Sequence, residues 1–239
     1  MKTLSIVVPC YNEEDSLPQL FSQMTEVSKQ LLKDYRLDVV FVDDGSRDNT
    51  FAMLSGFKKK FKSSGVSVTI CRHGKNRNLG AALKTAFKVV KGDLIVTADA
   101  DCTYSLLDIP KLLALLDENT DIVSASPYHP EGKSAMMHAY RLFLSKAISK
   151  IYRVLTGSRI YTFTALFRVY RKKVIDDIHP KSDNFLAVTE LLVYSLRKGY
   201  KVKEFPADLT ARKYGKSKMK LLSTIMSHVS LIMRLIFRL

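Results

Sequence analysis

The sequence predicts one continuous α/β domain with a mainly parallel central sheet and an amphipathic helix at its C-terminal end. Three observations carry this. Five short runs rich in Val and Ile alternate with segments of helical periodicity. Most of these runs end in a polar, turn-forming motif, as strands of an open α/β sheet do where they meet a ligand. The 239 residues, 46% of them hydrophobic, show neither an internal repeat nor a low-complexity linker, so they suit one large core.

The first run, Leu4 to Val8, follows directly on Met1-Lys2-Thr3. That start leaves no room for a signal peptide and predicts a protein that is not secreted. Leu17, Leu20, Phe21, Met24 and Val27 then recur at helical steps before the second run, Asp38 to Val42. The third run, Val66 to Cys71, leads to a helix carried by Ala81, Ala82, Ala86, Val89 and Val90. The fourth run is Asp93 to Ala98, a helix is expected over Leu106 to Asp117, and the fifth run is Asp121 to Ser126. Runs so apolar, each separated by a helix, predict parallel strands sheathed on both faces.

Beyond about residue 130 the character changes. Met136 to Arg159 mixes apolar residues with Arg141, Lys146, Lys150 and Arg153 and predicts one long basic amphipathic helix. In the last segment Leu222, Ile225, Met226, Val229, Ile232, Met233 and Ile236 fall on one side of a helix, and Ser223, Ser227, Ser230, Arg234 and Arg238 largely on the other. Leu221 to Leu239 is too interrupted to cross a bilayer. Such a helix can lie in a membrane interface, pack on the domain, or begin a further membrane region.

Thirty-eight Lys and Arg against twenty-three Asp and Glu give a formal charge of +15, which favours phosphate-rich partners or an anionic bilayer. No zinc finger, aromatic RNA-binding motif or separate basic module is present, which argues against nucleic acid. Cys10, Cys71 and Cys102 lack CxxC spacing, so neither a disulfide framework nor a zinc site is expected and a reducing, cytosolic compartment is favoured.

Asp99-Ala100-Asp101 directly follows the fourth run. Two carboxylates one residue apart at a strand end repel each other unless a divalent cation sits between them and a diphosphate; a helix-capping turn led by Asp101 or Ser105 would use the same residues. Asp43-Asp44-Gly45-Ser46, followed by Asp48-Asn49-Thr50, can accept hydrogen bonds from a base or ribose, or simply form a turn and cap. Pro9-Cys10-Tyr11-Asn12-Glu13-Glu14 closes the first run with an aromatic face and carboxylates, and Asn78-Leu79-Gly80 opens the third helix.

In this order the motifs resemble the family 2 glycosyltransferases of GT-A (Rossmann-like) fold, and within them the dolichyl- or polyprenyl-phosphate sugar transferases, of which dolichyl-phosphate mannose synthase is the type. The resemblance runs from about Leu4 to Lys218 and implies a transferase domain over 1–218, with a nucleotide-sugar half at 1–126, an acceptor half at 127–218 and a tail at 219–239. It implies that Pro9, Tyr11, Glu13, Val42 and Asp44 contact the nucleoside of a GDP- or UDP-sugar. Asp99, Ala100 and Asp101 would hold the diphosphate and its Mg²⁺ or Mn²⁺, with Thr103 where the family often has a Gln metal contact. The run Arg212-Lys213-Tyr214-Gly215-Lys216-Ser217-Lys218 matches the family's Arg, Gly and Ser-Lys pattern, which makes Arg212 and Lys218 catalytic together with Asp101. Arg141 and Ser145, one helical turn apart, fall where an acceptor phosphate is held, and Glu190 falls on a helix flanking the site, where it can orient a basic neighbour.

Two departures stand out: Ala125-Ser126-Pro127-Tyr128 lacks the family's Arg after Gly-Ser, and Thr162-Phe163-Thr164-Ala165-Leu166-Phe167-Arg168 keeps Phe and Arg but loses the Asp and the Ser-Gly pair. The implied activity is inverting transfer of a sugar to a polyprenyl phosphate, on the cytosolic face of a membrane. A family 2 transferase acting on a glycan hydroxyl, or a non-catalytic nucleotide- or lipid-binding relative, is the alternative.

Overall fold

The structure is a computed structural model and describes residues 1–61, 64–134, 139–212 and 221–237, the side chains of 139–141 and 221 apart. In chain order the elements are β1 (Lys2–Cys10), α1 (Leu17–Leu31), β2 (Tyr35–Asp43), α2 (Thr50–Phe61), β3 (Ser67–Arg72), α3 (Leu79–Phe87), β4 (Leu94–Thr97), α4 (Ile109–Ala114), β5 (Ile122–Ser126), β6 (Lys133–Ser134), α5 (Ala139–Thr156), β7 (Arg168–Arg171), α6 (Lys172–Asp177), α7 (Leu186–Arg197), β8 (Val202–Pro206), β9 (Asp208–Leu209) and α8 (Leu221–Ile236). The seven-stranded sheet has the order β3-β2-β1-β4-β7-β5-β8, and β6 and β9 form a separate small ladder.

The expected parallel sheet is present, with all five anticipated strands. β1 pairs in parallel with β2 on one side and with β4 on the other. Alternate residues of β1 serve opposite cores: Leu4, Ile6 and Val8 join α1 and α2, whereas Val7 joins α3 and α7. This two-residue alternation is why a sheet covered on both faces must be apolar at nearly every position. The chain leaves β1 toward β2 and later returns to β4 on its other flank. The crevice between the carboxyl ends of these strands is thus a topological switch point, where α/β sheets bind ligands.

Three features differ from expectation. β7 enters antiparallel between β4 and β5, and β8 adds beside β5. The helix expected over Leu106 to Asp117 is split into a 3₁₀ turn at Leu106–Asp108 and the short α4, because Pro110 sits at the start of α4, where its missing N–H costs nothing. The long basic helix expected from Met136 is observed over Ala139–Thr156, with 135–138 outside the described residues; Gly157, at φ +61°, follows it.

Candidate active site

The loops after β1 and β2 are tied to each other by their own polar side chains. Asp44 N donates to Cys10 O at 2.8 Å. Asn12 N donates to Ser46 Oγ at 2.9 Å and its Oδ1 accepts from Arg47 N at 2.8 Å, while Glu13 N donates to Thr50 Oγ1 at 2.8 Å. Glu14 accepts from both Asn49 N and Asn49 Nδ2. The turn-forming character of these residues is therefore put to use between the β1 and β2 ends, on one side of the switch point, and it holds one wall of the crevice in register. Gly45, at φ +72°, is required here, because a Cβ at this position would lie 2.4 Å from the Lys75 carbonyl carbon.

Asp44 is buried. Its Oδ1 accepts from His73 Nδ1 at 2.6 Å and from Arg77 N at 2.9 Å, and His73 Nε2 meets Thr85 Oγ1 at 2.9 Å. No sequence motif assigns a role to His73. Its only signal was position, one residue beyond the third strand, where the other strand ends carry chemistry.

Asp99, Ala100 and Asp101 follow β4, which is tied to β1 by Ala98 N donating to Val7 O at 3.0 Å. Cys102 takes the left-handed conformation, at φ +54°, so the chain turns sharply just after Asp101. Thr103 donates to Asp101 Oδ1 from both its N (3.0 Å) and its Oγ1 (2.9 Å), fixing that carboxylate. Arg212 donates to both oxygens of Glu13, and its Nε lies 3.6 Å from Asp101 Oδ2. Glu13 also accepts from Ser16 Oγ at 2.9 Å.

Three carboxylates thus crowd around one guanidinium. Loss of water around the half-buried Asp99, then repulsion from Asp101 and Glu13, raises its pKa to about 8, with Arg212 opposing. The same burial and the same charges push the Cys102 thiol up to about 12. Excess negative charge at a strand end, with Arg212 the one cation beside it among the described residues, fits a further cation. Among the described residues no three His, Cys, Asp or Glu side chains form a complete cage. Asp99 and Asp101 can hold a divalent ion whose other positions are filled by diphosphate oxygens.

Two cavities meet at Asp99 and Asp101. One, of about 460 Å³, is lined by Pro9, Tyr11, Glu13, Asp44, Asp99, Ala100, Asp101 and Arg212 among others, so the residues expected to bind a nucleotide converge there. Val42 is the exception: it lines neither cavity, because its side chain is fully buried with Val7 and Val40 in the core beneath α3. The second cavity, of about 440 Å³, is apolar. Leu144, Ile148 and Ile151 of α5 face Ile225 and Val229 of α8 across it, with Thr103, Tyr128 and Ser145 as polar points. Ser145 Oγ is 2.8 Å from Thr164 Oγ1. It also hydrogen-bonds the Tyr128 hydroxyl, whose pKa burial raises. The side chain of Arg141 and the whole of Lys218 lie outside the described residues.

α8 packs on the domain with most of its apolar stripe facing outward. Leu231 and His228 are buried against α5 and α7. His228 Nδ1 lies 3.0 Å from the Tyr152 hydroxyl, Ser227 Oγ accepts from Asn184 Nδ2 at 2.9 Å, and Arg234 donates to Glu190 at 3.1 Å. Glu190 is fully buried and also accepts from Ser182 N and Oγ, so it does orient a basic neighbour, Arg234. These polar pairs hold Ser227, His228 and Arg234 against the domain. The apolar stripe Leu222, Met226, Val229, Met233 and Ile236 is left exposed, Leu222 to 80%, and α5 likewise exposes Phe143 (70%), Ile151 and Val154. Among the described residues no helix is long and apolar enough to cross a membrane.

Residues 5–179 match the family described as Glycosyl transferase family 2. The fold is similar to that of glucosyl-3-phosphoglycerate synthase from Mycobacterium tuberculosis, solved with Mn²⁺, UDP and glucosyl-3-phosphoglycerate: TM-score 0.68 and 16% identity over 99% of this chain and 79% of that one. It is also similar to the mannosyltransferase PcManGT from Pyrobaculum calidifontis, solved with GDP-Man and Mn²⁺ (TM-score 0.59, 20% identity, 90% and 58% covered). A third similar structure is S. aureus TarS 1–349 (TM-score 0.60, 19% identity, 87% and 60% covered).

Proposed function

The chain belongs to glycosyl transferase family 2, and from that membership we propose that it moves a sugar, with inversion, from a nucleotide diphosphate sugar to a polyprenyl phosphate of the dolichyl type. The observation that carries this is the pair of cavities joined at Asp99 and Asp101, one polar and one apolar. A nucleotide sugar suits the first. The second is shaped for an aliphatic chain and opens where α5 and α8 leave apolar side chains exposed, which suits a lipid acceptor and attachment to the cytosolic face of a membrane.

In this reading Pro9, Tyr11 and Asp44 hold the nucleoside, and Asp99 and Asp101 would hold Mg²⁺ or Mn²⁺. When bound, such a cation stabilises the negative charge that develops on the departing diphosphate. Arg212 leaves Glu13 for the diphosphate, Lys218 adds a second positive charge there, and Arg141 with Ser145 grips the acceptor phosphate. A lipid phosphate is already anionic at neutral pH and needs no general base. The apolar cavity is consistent with that, since His228 is engaged with Tyr152 and burial lowers its pKa to about 4. Chemistry is then mostly positioning: an acceptor oxygen attacks the anomeric carbon as its bond to the diphosphate oxygen breaks. Residues 127–218 supply the acceptor half.

The test is label transfer. Protein, liposomes containing polyprenyl phosphate, and a panel of labelled UDP- and GDP-sugars with Mn²⁺ or Mg²⁺ should give label in the organic phase that requires the lipid phosphate. Asp101→Asn should reduce it at least about a hundredfold. Label that appears only with a glycan hydroxyl acceptor would replace the lipid reading with the hydroxyl one.

A further inference from the structure

The two carboxylate oxygens of Asp44 are not equivalent. Oδ1 accepts from His73 Nδ1 at 2.6 Å and from Arg77 N at 2.9 Å, which fills both of its lone-pair positions. Oδ2 has no hydrogen-bond partner among the described residues, although the side chain is only 4% exposed and lines the polar cavity. His73 is nearly as buried, and Thr85 Oγ1 at 2.9 Å holds its other nitrogen. The imidazole is thus a fixed plug on one oxygen, with Nδ1 carrying the proton that a carboxylate partner requires. A carboxylate oxygen open to a cavity and without a protein donor is well placed to accept from a ligand that brings one.

Bases differ in what they bring. Guanine presents N1–H and an N2 amino group side by side, a fork that matches two free oxygens of one carboxylate. Uracil presents a single imide N–H between two carbonyls. Adenine and cytosine set a ring-nitrogen lone pair beside their amino group, and that lone pair would face the carboxylate. Asn76 lines the same cavity, and its Oδ1 is engaged by Asn78 N at 3.2 Å, so its amide N–H can meet a uracil carbonyl.

We propose that His73, by occupying Oδ1 of Asp44, leaves the site able to read one base N–H rather than a fork, and so selects uridine diphosphate sugars over guanosine diphosphate sugars. This rests on the reading of the polar cavity as a nucleotide site. His73 is a positioning residue here, acting through Asp44.

The experiment is calorimetric titration of the protein, in Mn²⁺, with UDP and with GDP, repeated for His73→Leu and His73→Gln, with thermal melting as a control of folding. UDP should bind at least about tenfold tighter than GDP, the cost of one unmet hydrogen bond. His73→Leu frees Oδ1, and the UDP-to-GDP ratio should fall by about tenfold. His73→Gln, whose amide N–H can refill Oδ1, should restore most of the ratio. A merely structural His73 would weaken both nucleotides alike and leave the ratio unchanged, which overturns the proposal. Equal or reversed preference in the unmodified protein overturns it too while leaving the nucleotide site intact, and if either variant fails to fold this comparison alone decides. Binding of neither nucleotide would remove the underlying site as well.

Discussion

Arg168 is the largest fully buried side chain described, and it is a cation without an ion-pair partner among the described residues. Its guanidinium is served instead by Val188 O at 2.6 Å, Phe163 O at 2.8 Å, Ser124 Oγ at 3.0 Å and the Tyr170 hydroxyl at 3.3 Å. It thereby ties β7, β5, α7 and the segment before β7 into one block. Arg168→Met would leave two carbonyls and two hydroxyls short of a donor, each worth about 1 to 3 kcal/mol when buried. We expect a loss of about 3 kcal/mol or more in denaturant unfolding, and only partial recovery by Arg168→Lys, whose single ammonium cannot reach four acceptors. At this scale the sequence was readable where chemistry lies in contiguous motifs. Asp99, Asp101, Tyr11 and Glu13 stand next to one another in strand-end loops, so position alone pointed to them. It was silent on His73, because that role depends on a bond to Asp44 across 29 positions of chain.

The element that most rewards inspection is α8. Periodicity predicts an amphipathic helix but leaves open what each side meets, because counting apolar residues gives no weight to polar groups that find buried partners. Ser227, His228 and Arg234 each find one, and those bonds hold the helix in place. Pro110 and β7 teach the same lesson: a short strand bounded by Arg168 and Arg171 carries too little hydrophobic pattern to be seen until its neighbours are in place. Burial lowers the His228 pKa to about 4, from about 6.5 in the unfolded chain. The unfolded state therefore binds a proton before the folded state does, and stability is full above pH 6.5 and is lost as pH falls toward 4, by on the order of 3 kcal/mol. Thermal melts between pH 7 and pH 4.5 should show this loss, and His228→Gln, which keeps a polar partner for Tyr152 but does not titrate in this range, should flatten it. An equal slope in both proteins would assign the acid sensitivity to other groups.

Across the whole molecule, the formal charge of +15 and the apolar side chains that α5 and α8 expose make the proposed attachment to an anionic bilayer testable. We expect flotation with phosphatidylglycerol vesicles that weakens as salt is raised, and that falls at least about tenfold in the exposed double substitution Met226→Glu and Val154→Glu. Unchanged flotation would mean that the stripes do not enter the bilayer. The parallel sheet and its loaded strand ends were legible because Val- and Ile-rich runs and turn residues are local signals. The closing of the site was not, since it joins Glu13 to Arg212 across 199 positions. That clasp has a bearing on how the protein comes into being. On a ribosome the three acidic side chains are made early and their guanidinium long afterwards, so a half-made chain carries the repulsion of the site without its counter-charge. On the role proposed for Arg212, nucleotide capture is expected only late in synthesis, and a chain interrupted before Arg212 would be silent instead of half active.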